Sequence, residues 1–546
     1  PGLSRKITPI DIESEKINAI RKECERLFYA LHFDVYARID GFIKKDGTIF
    51  LNDPNTTSGM MPSSFFFHQA AEIGLNPSQF LTFIVRTSLE KRILQSKNSG
   101  VYESALKMLD RGILKEKEGL KQKIKIAVLL GGFSSERHIS VESGRNVYEK
   151  LASSEKYSPF PVFLTGNNDE HILYHIPVNV LLKDNADDIY EKATNYKVHE
   201  VVKEIMQECK AITDKYASRD NIDKPVRLTY QDLKNKADQV FIALHGRPGE
   251  DGAVQVKLEE VGLTYNGSGK DSSSVTIDKY RTNEILKQNG LLVAEHILVT
   301  REDWEKNKNS IKEILINKIK LPFIAKPVDD GCSSAVKKIK TLEEFEAFAT
   351  LIFRKEEALE KKSADLLHIK PKEEFPIKNV ILVEELISKR DSKHFLEVTG
   401  GMLTRFAKGE EIEYEVFEAS EALSEGDVLS LEEKFLAGQG QNITPARYAK
   451  NSTERNEISK QVKEALGKAA RVLNVTGYCR IDAFVRIYDG PRAEVIFIEV
   501  NSLPGMTPAT CIFHQAAINN YKPYEFIDKI LDFGMKRVAK IPIDNT

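Results

Sequence analysis

The sequence predicts an α/β protein whose first hundred residues repeat part of its last hundred. Two observations carry this. Short runs of β-branched and Leu residues end in glycine turns and lead into helical patterns, and one set of motifs is written twice in the same order. Asn52 to Ala71 reads NDPNTTSGMMPSSFFFHQAA, and Glu499 to Ala517 reads EVNSLPGMTPATCIFHQAA. Asn55 and His68 have the same spacing as Asn501 and His514. Upstream, YARIDGFI (Tyr36 to Ile43) answers YCRIDAFV (Tyr478 to Val485), and KITP (Lys6 to Pro9) answers NITP (Asn442 to Pro445). Several blocks in register predict duplication: residues 1–100 are a partial copy of the C-terminal region. This copy begins in mid-module and without Met, which leads us to expect a longer tandem protein.

Composition bounds the class. At 546 residues, two to four domains are expected. A hydrophobic share of 41% and a charged share of 29% are those of an ordinary globular chain. Seventy-nine Lys and Arg against 81 Asp and Glu give a net charge of -2, which argues against nucleic acid or an anionic membrane as partner. Without a long apolar run or a signal-peptide core, a cytoplasmic location is expected. Five cysteines lack CxxC or zinc-ligand spacing and read as reduced thiols.

After the copy, residues 101–123 form a charged helical connector. IKIAVLLGGFSSER then gives a strand buried on both faces, a turn at Gly131-Gly132 and a helix start at Ser134 or Ser135, an arrangement that presents free N–H groups to an anion. The strand Val240 to Leu244 delivers His245 and Gly246 to its carboxyl end, where ligands of parallel sheets bind. GSGKDS, downstream, does not have the order of a Walker A loop. In LPFIAKPVDDGCSSAVKKI, Lys326 on a strand can neutralise phosphate oxygens, while the turn amides from Gly331 to Ser334, including those of Cys332 and Ser333, hydrogen-bond them. In the repeated element, Arg480 and Asp482 lie on one face of a strand, and Glu499 and Asn501 on one face of the next. Two carboxylates and an amide oxygen there form a hard-oxygen set suited to Mg2+.

LLGGFSSER, LHGRPGEDG, IDKYRTN, AKP, RID and EVNSLPGMTP occur in the order found in D-alanine-D-alanine ligases of the ATP-grasp superfamily, and residues 124–540 resemble that family throughout. The resemblance implies three subdomains, placed here at 124–275 (Rossmann-like), 276–388 (central) and 389–540 (C-terminal). It implies ATP and Mg2+ (or Mn2+) as cofactors, D-amino acids as substrates and a homodimer. It further implies that Lys279 and Lys326 bind ATP phosphates, that Glu384 lies at the adenine hinge and that Asp482, Glu499 and Asn501 hold two metal ions. Glu136 receives the first substrate's ammonium; His245, Arg480 and the Gly505 amide orient or stabilise the reacting acyl group; Lys434 sits on the closing loop. The expected product is a D-alanyl-D-alanine precursor of peptidoglycan.

The sequence departs from the family pattern at Cys332, where serine is common, and at Phe435, where the lid tyrosine is usual. His394 replaces a ribose-binding glutamate, and Thr510 and Cys511 replace a serine near the second substrate's carboxylate. Ligation to D-lactate or another D-acid, and a non-catalytic nucleotide-binding scaffold, are the alternatives. In the first copy, Arg38, Asp40, Asp53 and Asn55 match Arg480, Asp482, Glu499 and Asn501, so the metal-site chemistry is expected to survive there. The phosphate lysines have no counterpart in the copy, and removing residues 1–105 is expected to spare ligation.

Overall fold

The computed structural model describes residues 6–61, 64–119, 122–217, 222–331, 335–370, 373, 375–407, 411–423 and 442–538. The chain divides into two compact units: residues 1–128, 147–165 and 171–238 form one, and residues 129–146, 166–170 and 239–546 the other. Among the described residues, no helix is long and apolar enough to cross a membrane.

The first unit joins the N-terminal copy to one side of an α/β layer. The copy contributes the helix Ser14–Ala30, the hairpin Arg38–Ile43 and Ile49–Asn55, and the helices Phe65–Glu72 and Pro77–Gln95. Asn76 and Gln79 form a reciprocal capping box with Pro77 at the first helical position, so the turn at Leu75 is fixed locally. Phe67, Ala71, Leu75 and Phe80 are buried, yet the hairpin leaves Phe42 70% exposed. The expected connector is the helix Gly100–Gly119. The α/β layer holds the strands Val226–Leu228, His171–His175, Tyr157–Gly166 and the first half of Ile124–Gly131, adjacent in that order.

The segment between residues 165 and 235 supplies the surface on which the copy docks. Helix Phe65–Glu72 packs on Val178–Leu181, Pro77–Gln95 on Lys210–Tyr216, and Ser14–Ala30 on Glu200–Glu208. Lys183 Nζ donates to Glu72 at 2.8 Å and to the Thr8 carbonyl at 2.5 Å, with only 12% of its side chain exposed. Thr213 Oγ1 donates to the Ile73 carbonyl at 3.0 Å, and Arg86 bridges Asp110 on the connector helix at 2.7 Å. The copy is thus bound into this unit by a partly buried ionic contact as well as by apolar packing.

The second unit contains a seven-stranded sheet. Its main order runs Asn442–Ile443, Ser420–Ala422, His394–Phe406, Tyr478–Tyr488, Arg492–Asn501, Leu292–Val293, with Ile412–Val416 paired to His394–Phe406. Alternation along Tyr478–Tyr488 sends Cys479, Ile481, Ala483 and Val485 into a core with Ile458, Val462 and Leu466 of the helix Ser452–Val472. Arg480 and Asp482 therefore face the other way. A four-stranded antiparallel sheet, His296–Thr300, Val380–Glu385, Phe323–Pro327 and Lys337–Ile339, closes over Phe323, Phe345, Phe348 and Trp304. The strand Gln239–Ile242 pairs in parallel with Thr264–Tyr265, and Ala243 N donates to the Leu129 carbonyl at 2.8 Å.

Breaking the Lys183–Glu72 pair strands a partly buried ammonium. Glu72→Ala is expected to cost about 3 kcal/mol, whereas the double variant Glu72→Leu/Lys183→Met loses less than either single change. A double-mutant cycle from denaturant midpoints checks this, and additive losses would contradict it.

Candidate active site

Two strands make the site. Tyr478–Tyr488 and Arg492–Asn501 run antiparallel with Arg480 opposite Asn501 and Asp482 opposite Glu499. The register then shifts, Ala483 pairing with Phe497, so Ile498 is an extra residue just past the charged pair. Arg480 donates to Asp482 through Nε at 3.1 Å and Nη2 at 3.0 Å, and Nη2 lies 3.9 Å from Glu499. Thr399 Oγ1, from the neighbouring strand, donates to Asp482 at 2.6 Å. Burial alone would lower the Arg480 pKa, but Asp482 and Glu499 outweigh it and raise it further.

Lys279 opens the helix Lys279–Gln288, whose N-terminus is capped by the Asp278 side chain. Its ammonium donates to the Asp330 carbonyl at 2.5 Å and lies 3.7 Å from Glu499. Lys326, on Phe323–Pro327, pairs at 2.5 Å with Glu384 of the adjacent strand, and Asn283 Nδ2 donates to the other Glu384 oxygen at 3.0 Å. Both lysines are buried against carboxylates. Asp329 and Asp330, beyond Lys326, are held by Lys378 at 2.8 and 2.7 Å.

Among the described residues, no group of three His, Cys, Asp or Glu side chains could hold a metal. The donor set that does fit a divalent cation is mixed: the cross-strand carboxylates of Asp482 and Glu499, and the amide of Asn501, whose Nδ2 is buried without a hydrogen-bond partner. Such hard oxygen donors suit Mg2+ or Mn2+.

Glu136 is buried before the helix Arg137–Ala152, its N–H donating to Ser134 Oγ at 3.2 Å. Its carboxylate lies against two glycines: a Cβ at Gly331 would come within 2.5 Å of Oε2, and one at Gly246 within 2.9 Å. Gly246 also has φ +63°, so a side chain there is disfavoured twice. Gly246 N donates to Glu250 at 2.8 Å. Burial, and then the Glu136 charge, push the Glu250 carboxyl up to about 8, with Glu499 adding to the effect.

His245 is held from both ring nitrogens. Nδ1 faces the Leu503 carbonyl at 2.9 Å and Nε2 faces Ser143 Oγ at 2.8 Å. Because Leu503 can only accept and Ser143 already accepts from Met506 N at 3.0 Å, the proton is assigned to Nδ1. Asn146 Nδ2 donates to the Met506 carbonyl at 2.7 Å. The buried loop carrying Gly505 is therefore tied on both sides to one helix and to His245.

Lys434, Cys332 and Ser333, with Phe435, lie outside the described residues. Glu136, His245, Arg480, Gly505, Lys279, Lys326, Glu384, Asp482, Glu499 and Asn501 all lie in the second unit. Sequence reasoning missed Ser143, Asn146, Thr399, Asn283 and Glu250. A signal existed for two of them: Ser140, Ser143 and Asn146 repeat at helical spacing where apolar residues are expected, and all three are buried.

The first copy does not reproduce the site. Arg38 still meets Asp40 at 3.1 Å and still stands opposite Asn55. Its bulge, however, is displaced: Ile39 pairs with Pro54 and Asp40 with Asn52, leaving Asp53 as the extra residue with φ +48°. The carboxylate expected to match Glu499 is thus turned out of the cross-strand position, and the metal-site chemistry expected there does not carry over.

The family profile described as D-ala D-ala ligase N-terminus matches residues 125–268. The profile described as D-ala D-ala ligase C-terminus matches residues 3–86, 285–362 and 360–532. The chain belongs to the D-alanine–D-alanine ligase family. The D-alanine–D-alanine ligase of Leptospira interrogans serogroup Icterohaemorrhagiae serovar Lai is 27% identical over 420 residues, 76% of this chain and 99% of that protein. That of Carboxydothermus hydrogenoformans is 30% identical over 304 residues, 56% of this chain and 83% of that protein. Among solved structures, the VanG D-Ala:D-Ser ligase from Enterococcus faecalis superposes with a TM-score of 0.51 at 21% identity, over 76% of this chain and 99% of that one. The fold is that of the ATP-grasp ligases, and the repeated C-terminal match accounts for the duplication read in the sequence. As a member of the D-alanine–D-alanine ligase family, the chain is an ADP-forming ligase.

The His245 pKa is lowered from 6.5 to about 4, chiefly by burial, with Arg480 acting the same way against the Leu503 hydrogen bond. The unfolded imidazole takes its proton near 6.5 and the folded one only near 4, so its contribution is intact above the first value and is lost as pH falls toward the second. The full loss is about 3 kcal/mol. Denaturant midpoints at about pH 7 and about pH 4.5 should therefore fall further for the native chain than for His245→Gln. Parallel curves would refute it.

Proposed function

We propose that the chain joins the carboxylate of one D-alanine to the amine of another, using ATP with Mg2+ or Mn2+, to make a peptidoglycan precursor. The observation that supports this best is the buried line of charge from Lys279 through Glu499 and Arg480 to Asp482, with Glu250 close to both Glu136 and Glu499. A carboxylate is a poor electrophile, so its oxygen first attacks the γ-phosphorus of ATP and ADP leaves. The amine nitrogen of the second substrate then attacks the acyl carbon, phosphate departs and the nitrogen loses a proton.

Lys279, Lys326 and the amides of Cys332 and Ser333 hold the phosphates, and Glu384 lies at the adenine hinge. Asp482, Glu499 and Asn501 would hold the metal, which when bound would supply charge neutralisation for phosphoryl transfer. Glu136 receives the first ammonium. Arg480 and the Gly505 N–H stabilise the tetrahedral oxyanion, each such donor being worth roughly 3 kcal/mol. His245 is a positioning residue, because its Nδ1 proton holds the loop that presents Gly505. The acyl phosphate must be kept from water until the amine attacks, the role that the resemblance implies for the loop of Lys434.

Lys326→Ala and Glu499→Gln should each lower kcat by at least about a hundredfold, with circular dichroism unchanged. Wild-type turnover in either variant would remove that residue from the mechanism. A second reading, another D-acid as acceptor, is favoured by the buried Cys511 thiol beside Arg480 and Asp482. Phosphate release with D-alanine, D-serine and D-lactate as acceptors separates the readings: D-alanine should be fastest, and a faster rate with either other acid would replace the first reading by the second.

A further inference from the structure

The first unit contains a cavity of about 1000 Å3, lined entirely within that unit and by none of the residues assigned to the site above. Its wall is composite: the end of the copy's helix Phe65–Glu72 and the turn after it, the connector helix, and the α/β layer all contribute. That volume lies at the upper end of small-molecule sites, which run to about 1000 Å3.

Its charges are unbalanced. Glu72 is paired with Lys183, Glu116 with Lys123 and Asp214 with Lys210. Among the described residues, Asp223 is the lining carboxylate that forms no ion pair, whereas Lys117, Lys125, Lys203 and Lys236 are four lining ammonium groups without one, Lys117 donating to the Asp214 carbonyl. Deep in the wall, His175 is 8% exposed, and its imidazole makes no hydrogen bond to a described residue. It ends the strand His171–His175, with its ring 4.9 Å from that of Phe160. Burial, aided by the Lys236 charge, lowers its pKa to about 4, so the ring is neutral and offers one donor and one acceptor. Phe160, Ile176 and Met206 give the same wall an apolar surface.

A neutral hydrogen-bonding ring, aromatic and aliphatic surface, and a surplus of unpaired ammonium groups at the rim are complementary to an anion joined to a planar body. We propose that this cavity is a binding site for a small organic phosphate bearing a planar ring, its phosphate at Lys125 and Lys236 and its ring against Phe160 and His175. The site uses no residue of the ligase mechanism, and it holds whether or not the proposed substrates are correct.

Isothermal titration of the full chain with phenyl phosphate, inorganic phosphate and phenol tests it. Phenyl phosphate should bind at least tenfold more tightly than either fragment. Lys125→Glu/Lys236→Glu, both exposed positions, should weaken it at least tenfold while leaving the unfolding midpoint and basal ligase turnover unchanged. His175→Phe should weaken phenyl phosphate while sparing the inorganic anion. Equal affinity of the native chain and the double charge reversal would overturn the proposal, as would tighter binding of inorganic phosphate than of phenyl phosphate.

Discussion

A guanidinium shut away from water governs the second unit. Arg480 has 11% of its side chain exposed, and a charge so placed is tolerated only where carboxylates stand at fixed distances from it. Asp482 meets that need along the same strand and Glu499 across the ladder, so the pairing of the two strands cannot slip by one residue without stranding the charge. The alternation that turns Arg480 and Asp482 to one side turns Ile481 and Ala483 into the core. Burial of the apolar face and pairing of the charged one therefore select the same register. Lys279, reaching Glu499 from the helix Lys279–Gln288, extends this constraint beyond the two strands.

Much of this was legible in the sequence because it is local. RID and EVN carry their alternation with them, the glycines of the turns mark where backbone must come close, and Lys326 declares its strand through the apolar residues around it. The repeated block was visible because motif order survives even when packing does not. What could not be read were contacts across long separations. Ser143 and Met506 are hundreds of positions apart, and nothing near either one states that a helix hydroxyl will cap a loop amide. Glu384 was legible only through the family resemblance, and its ion pair with Lys326 depends on how two antiparallel strands align.

The docking of the N-terminal copy illustrates the same limit. Nothing in the sequence around the helices Val178–Leu181, Glu200–Glu208 and Lys210–Tyr216 announces their partners, because each packs on a helix more than a hundred residues earlier. Conversely, identity of residue type misled at Asp53. The motif retains an acid, but a bulge one step along the ladder changes which residue stands across from Asp40. Side-chain chemistry is inherited with the letters; cross-strand placement depends on the backbone.

The copy's hairpin has a further consequence. In the second unit, Tyr478–Tyr488 has a neighbour along each side, whereas among the described residues its counterpart Arg38–Ile43 is paired with Ile49–Asn55 alone. Among the described residues no second strand pairs with it, its Phe42 is exposed, and an unpaired strand edge is a template for association between molecules. The chain places Lys44 and Lys45 directly after the strand, and the Lys44 ammonium sits 4.7 Å above the Phe50 ring. Like charges beside a strand edge disfavour the approach of a second such edge, a role these two lysines have apart from the ligase chemistry.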